Sequence, residues 1–150
     1  MTQVYQYSLT VPDHAVDTNG HVNNIEYLRW MQDAAILHSD SQGCTKATIL
    51  VGATWVVRTH HIEYLRPAFA GETVCVLTWV SNFRRVQSLR KYRIIRFHDN
   101  AVLVEGETDW VFVDARTGRL RSIPKDVMMT VPILSKENEA EVINSLSFFK

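Results

Sequence analysis

At 150 residues the chain has the size of one domain, long enough to bury roughly 70% of its unfolded surface. Sixteen basic residues balance sixteen acidic ones, so no global field recruits nucleic acid or an anionic membrane. The hydrophobic share of 46% and charged share of 21% fit an ordinary soluble globular protein, and the two cysteines, Cys44 and Cys75, show no metal-ligand spacing.

The start, Met1 to Gln6, lacks the basic and apolar regions of a secretion signal. The longest uncharged stretch with much apolar character, Ala47 to Val57, is too short to span a bilayer. A cytoplasmic, single-domain protein covering residues 1–150 is therefore expected.

In chain order, Val4 to Val11 alternates as a first strand, closed by Pro12. A polar loop, Asp13 to Val22, leads into a helix expected over Asn23 to Ser39. Asn23 is its N-cap candidate, with Glu26 in the capping-box position. Tyr27, Leu28, Met31, Ala34 and Ala35 form its apolar stripe, Arg29–Asp33 is an i,i+4 charge pair, and Gly43 is a stop signal. From Thr54 the period becomes two: strands are expected over Thr54–Leu65, Thr73–Ser81, Ser88–Phe97 and Ala101–Asp114, the last two as a hairpin about His98-Asp99-Asn100. Arg116 to Arg119 is a turn before a short Leu120–Ile123 piece, and residues 125–150 read as a C-terminal extension, a short helix and then a polar tail. Segregated elements argue an α+β fold of about five antiparallel strands, with the long helix on one face of the sheet.

Asp17-Thr18-Asn19-Gly20-His21-Val22-Asn23-Asn24 places three groups able to move or orient a proton at alternate positions, just before the helix start. A helix start presents unpaired N–H groups and partial positive charge. A carboxylate there can work on a carbonyl whose oxygen is becoming an oxyanion; the same residue types also make a plain capping turn. Glu63 shares a strand face with Trp55, Val57, Thr59 and His61 by simple alternation, either beside an interface or as a second acid. Six basic residues, Arg84, Arg85, Arg90, Lys91, Arg93 and Arg96, run without an acid among them. A three-residue hairpin loop sets Arg93 against Glu105, Lys91 against Glu107 and Ile95 against Leu103, leaving Arg84 and Arg85 as the better phosphate-binding candidates. His60 and His61 are adjacent and point to opposite faces, so no metal site is expected. There is no Gly-x-Ser-x-Gly elbow and no Gly-rich phosphate loop, which disfavours serine-elbow hydrolysis and nucleotide-triphosphate chemistry.

The ordered set of Asp17-x-x-Gly20-x-Val22, Tyr27, Arg58 to Ala68, Gly71-Glu72, Gly106 to Asp114, Thr117-Gly118-Arg119 and Ile123-Pro124 resembles the 4-hydroxybenzoyl-CoA thioesterase-like branch of the hotdog-fold superfamily. The segment Asp17 to Asn24, with Glu63-Tyr64, is similar to plant-type fatty acyl-ACP thioesterases, although this chain has one hotdog unit where that family has a fused pair. The resemblance implies a curved sheet wrapped around a central helix and a homodimer or dimer of dimers. It implies hydrolysis of acyl-CoA, or of acyl-ACP, without metal or organic cofactor. Asp17 would be nucleophile or general base, with Asn19, His21 and Glu63 assisting. Substrate would lie against Val22, Asn23, Asn24 and Tyr27, with Arg84 and Arg85 on phosphate. A non-catalytic acyl-CoA-binding module and a hotdog dehydratase are the rival expectations.

Overall fold

The computed structural model describes residues 3–146. Five strands, β1 Tyr5–Thr10, β2 Ala53–Tyr64, β3 Thr73–Phe83, β4 Gln87–Arg96 and β5 Val102–Asp114, form one antiparallel sheet in the order β1-β3-β4-β5-β2. Helices α1 Asn24–Gln42, α2 Cys44–Leu50, α3 Lys125–Met128 and α4 Glu139–Asn144 pack around it. The expected strands all appear within two residues of their expected ends, and the α+β class holds. Leu120 makes only an isolated bridge to Val113.

Asn23 caps α1 as expected, its Oδ1 accepting the Ile25 N–H at 3.1 Å. The reciprocal half of a capping box does not form. The Asn23 N–H donates to the Ala15 carbonyl at 2.8 Å, so no donor remains for Glu26, which pairs with Arg29 at 3.7 Å in place of the expected Arg29–Asp33 contact. The helix runs to Gln42, three residues past the expected Ser39, and stops at Gly43 as that glycine signals; α2 follows at once. α2 had no signature, because Thr45, Thr48 and Ile49 are β-branched and weak helix formers.

α1 buries Tyr27, Trp30, Met31, Ala34 and Ala35 against Val74, Val76, Tyr92, Ile94 and Val104 of β3, β4 and β5. Each large side chain so buried stabilises the fold by roughly 1.5–3 kcal/mol. Gly106 makes the close approach of β5 to α1 possible: a Cβ there would sit 3.1 Å from Met31 Sδ.

The opposite face of the sheet is also covered, which corrects the reading of a loose tail. Leu134 and Ile143 are buried against Val4, Cys75, Leu77, Trp79 and Ile95. Lys91 Nζ donates to Glu139 Oε1 of α4 at 2.7 Å, and Trp79 Nε1 donates to the same oxygen at 3.4 Å. The continuous run Val74-Cys75-Val76-Leu77 is the pattern of a strand buried on both faces. Residues 147–150 of the extension lie outside the described residues.

Of three register shifts among the described residues, two bear on the expected faces and pairings. In β2 the pairing passes from Val57↔Trp110 to Thr59↔Asp109, so Arg58 is the extra residue and the alternation flips beyond it. Trp55 therefore shares its side of the sheet with His60, Ile62 and Tyr64, not with Glu63. In the β4–β5 hairpin, Lys91↔Glu107 and Arg93↔Glu105 pair as expected, but a shift after Ile94 puts Ile95 opposite Val102 instead of Leu103.

Candidate active site

The residues from Val16 to Val22 form a miniature hairpin closed by a Val16–Val22 bridge. The Asp17 N–H donates to the His21 carbonyl at 2.8 Å, and Gly20 N–H donates back to the Asp17 carbonyl at 3.1 Å. Gly20 sits at φ +81°, a left-handed conformation that side-chain-bearing residues rarely adopt, so the turn depends on it. Asp17 Oδ1 accepts the Asn19 N–H at 2.9 Å, an Asx turn that fixes the carboxylate and leaves Oδ2 without a partner among the described residues. Asp17, Asn19 and His21 are thereby brought together in one five-residue turn, Asp17 half-buried and the other two exposed.

A second loop stitches this turn to the helix. Val22 N–H donates to the Ala68 carbonyl at 3.0 Å, Ala68 N–H donates to the Tyr27 hydroxyl at 2.9 Å, and the His21 ring meets Phe69 edge-on at 5.4 Å. Arg96 Nη1 holds the Pro67 carbonyl at 3.3 Å from the far side. The Tyr64 hydroxyl donates to the Asn24 carbonyl at 3.1 Å, tying the end of β2 to the start of α1.

An inventory of the helix-start amides isolates a single donor. Val22 and Asn23 N–H groups go to Ala68 and Ala15, Ile25 N–H to Asn23 Oδ1, and Glu26 N–H to the Asn23 carbonyl. Among the described residues only the Asn24 N–H of this set has no partner, on an exposed residue at the positive end of a nineteen-residue helix. Of Val22, Asn23 and Asn24, the helix-start residues that the resemblance sets against substrate, one therefore keeps an unpartnered amide among the described residues.

Other expected site residues fall elsewhere. Tyr27 is buried, burial raises its pKa, and its hydroxyl oxygen accepts the Ala68 N–H, so it holds the loop. Glu63, 60% exposed at its side chain, lies 3.3 Å from His61 Nε2 and lines a polar groove with Lys91, Arg93, Glu105 and Glu139 on the face away from α1. The Arg58 bulge is the reason, and it separates Glu63 from the Asp17 turn. Arg84 and Arg85 sit at the β3–β4 turn. That turn lies at the opposite end of an eleven-residue strand from the Asp17 loop, about 33 Å away. Arg84 is already ion-paired with Asp109, while the exposed Arg85 side chain donates, among the described residues, only to Ser122 Oγ at 3.4 Å. No three His, Cys, Asp or Glu side chains among the described residues are grouped to hold a metal, and no described helix is long and apolar enough to cross a membrane.

Residues 11–131 match the family described as the thioesterase-like superfamily. The chain belongs to that superfamily. A chloroplastic acyl-[acyl-carrier-protein] hydrolase, FATB3, of Cuphea viscosissima is 30% identical over 95 residues, which is 63% of this chain and 23% of that protein. The chain thus spans about a quarter of that relative's length. Among solved structures, the 1,4-dihydroxy-2-naphthoyl-CoA thioesterase Slr0204 from Synechocystis superposes with a TM-score of 0.76 at 17% identity, covering 85% of this chain and 95% of that one. The 12:0-ACP thioesterase from Umbellularia californica superposes with a TM-score of 0.79 at 21% identity, covering 93% of this chain and 58% of that one. At these identities the superpositions establish the hotdog fold of this superfamily member.

Proposed function

We propose that the chain hydrolyses acyl thioesters, with Asp17 as the reacting carboxylate and the Asn24 main-chain N–H as oxyanion donor. The observation that carries this reading is the juxtaposition itself: a carboxylate with one free oxygen, fixed by backbone bonds, in the turn that opens directly into the one unpartnered helix-start amide. As general base, Asp17 Oδ2 takes a proton from water while the hydroxide oxygen bonds to the thioester carbon. The carbonyl electrons move to oxygen, facing the Asn24 N–H. Collapse of the tetrahedral species breaks the carbon–sulfur bond and releases the thiol with the proton returned from Asp17. As nucleophile, the same oxygen bonds to the thioester carbon, the carbon–sulfur bond breaks and the thiolate leaves. Water then opens the mixed anhydride to the free acid and the Asp17 carboxylate, and one of the protons released goes to the thiolate. A single oxyanion donor of this kind contributes about 2.7–4 kcal/mol of barrier lowering. His21 and Asn19, exposed on the same turn, would orient water or the carbonyl.

The substrate class follows as part of the same proposal: an acyl-CoA or acyl-carrier-protein ester, supported by the superfamily and by the carrier-protein hydrolase that is 30% identical over 95 residues. A second copy of the chain belongs to it as well. β2 has a neighbour on one side only, and exposes Val56 and Val57, so its free edge calls for a partner. Antiparallel pairing of two β2 edges brings each copy's Arg85 to the end of the sheet that carries the other copy's Asp17, where it can meet a phosphate. Thiol release measured across short, long, branched and aromatic acyl-CoA esters and acyl-carrier proteins tests the reading. Release from at least one class is expected. Tight binding of intact acyl-CoA with no thiol released from any substrate would overturn it in favour of a binding module.

A further inference from the structure

Of the six basic residues between Arg84 and Arg96, four have an acid in contact: Arg84 with Asp109, Lys91 with Glu139, Arg93 with Glu105, and Arg96 with Glu72 and Asp99. Arg85 is exposed to solvent. Arg90 is the exception, because it is only 6% exposed and has no acidic partner among the described residues. Its Nη1 donates to His38 Nδ1 at 2.9 Å and to Thr78 Oγ1 at 3.1 Å, both neutral acceptors. Nε and Nη2 have no partner among the described residues. An unpaired buried cation is strongly unfavourable, and burial does push the Arg90 pKa down.

Arg90 lines a cavity of about 340 Å³ between the C-terminal half of α1, α2 and the sheet. Its walls are mostly apolar, with Ala35, Val80, Phe83 and Val131 among them. The polar groups around it are largely engaged: Thr48 Oγ1 accepts the Trp55 N–H at 3.1 Å, and Ser88 Oγ donates to the Asn82 carbonyl at 2.8 Å. Asp40 stands at the mouth, exposed, its carboxylate taking the Thr45 hydroxyl at 2.6 Å. The volume is at the small end of the roughly 300–1,000 Å³ typical of ligand pockets.

We infer that this cavity binds a small amphiphilic carboxylate, its head group on the free side of the Arg90 guanidinium and its aliphatic body against Trp55, Phe83, Val80 and Val131. Guanidinium–carboxylate contact supplies the missing counter-charge, and its two parallel N–H donors suit a planar carboxylate better than any neutral head. The ligand is a free acid. Ala35 lies eleven residues along α1 from Asn24, about 16 Å, and the core between them is filled by Tyr27, Trp30 and Met31, so an acyl group held at Asn24 does not thread to Arg90 within one copy. The inference stands apart from the proposed hydrolysis.

Trp55 and Trp110 line the cavity, so a brominated ligand reports on itself by quenching tryptophan fluorescence. Titration of the full chain with 8-bromooctanoate and with 8-bromooctanol is expected to give half-maximal quenching at a concentration at least tenfold lower for the acid. Arg90→Met should erase or reverse that preference, and Trp55→Phe should remove part of the amplitude. Asp17→Asn should leave the quenching curve unchanged, which separates this site from the hydrolytic one. Equal or better quenching by the alcohol on the wild-type chain, no quenching by either, or an unaltered acid preference in folded Arg90→Met would overturn the inference. The wild-type pair decides the matter even where the Arg90 variant fails to fold.

Discussion

The two ends of α1 present opposite chemistry. At the N-terminal end the reactive groups are half-buried or exposed, and main-chain bonds to Ala15, Ala68 and His21 hold them. At the C-terminal end a buried cation lines a mostly apolar cavity and, among the described residues, is met by His38 and Thr78. The first arrangement leaves one helix-start donor, the Asn24 amide on an exposed residue, without a partner among the described residues, and it is the donor proposed to meet charge as it develops. The second leaves a permanent charge facing inward. On the two proposals, one helix would carry a site for chemistry at one end and a site for binding at the other, separated by the packed middle from Tyr27 to Ala34.

The largest stability effect that distinguishes the two ends is pH dependence at the buried end. Burial, with Arg90 adding its charge, lowers the His38 pKa from 6.5 to about 4. Arg90 donates to Nδ1, so the proton of the neutral ring sits on Nε2, which has no partner among the described residues. Between pH 4 and 6.5 the unfolded chain binds a proton at this residue that the folded chain does not. The contribution is therefore complete above about pH 6.5 and is lost as pH falls toward 4, to the extent of roughly 3 kcal/mol. Denaturant titrations of wild type and His38→Asn across that window should converge as the pH drops. Parallel curves would mean that His38 titrates normally.

At the exposed end, Tyr27→Phe removes the acceptor of the buried Ala68 N–H and should cost about 1–3 kcal/mol in denaturant unfolding. It should also loosen the loop that receives the Val22 N–H, so hydrolysis should fall with it while quenching by 8-bromooctanoate persists. Loss of both together would show that the helix does not insulate its ends. The smallest expected effect is at Glu63. Its side chain faces the groove away from α1, so Glu63→Gln should change turnover by less than twofold. A hundredfold loss would return Glu63 to the site.

How much of this was legible in the sequence follows the same division. The Asp17 to Asn24 turn is a local motif, and Asn, Asp and Gly chemistry within eight residues is enough to place it beside a helix start. The charge ladder of β4 and β5 was equally readable, since Arg93 and Glu105 meet at 3.4 Å as their register requires. The face of Glu63 was not, because period-two reading assumes an unbroken ladder, and nothing in Val57-Arg58-Thr59 announces the extra residue. The cavity was least legible of all. Ala35, Trp55, Arg90 and Val131 come from four distant segments, and only the lack of an acidic partner for Arg90 among the described residues singles it out. Leu134 and Ile143 were misread with the polar tail because two apolar residues nine apart carry no periodic signal until the outer face of β3 gives them a partner.

The central claim is that the Asp17 carboxylate acts on a thioester held at the Asn24 amide. Asp17→Asn tests it most directly, since an asparagine Oδ1 can still accept the Asn19 N–H and keep the turn while losing the base and nucleophile. The account predicts an unchanged circular dichroism spectrum and unfolding midpoint, with kcat for thiol release lowered at least about a hundredfold, in line with general-base contributions. Thiol release at the wild-type rate from that folded variant would contradict it.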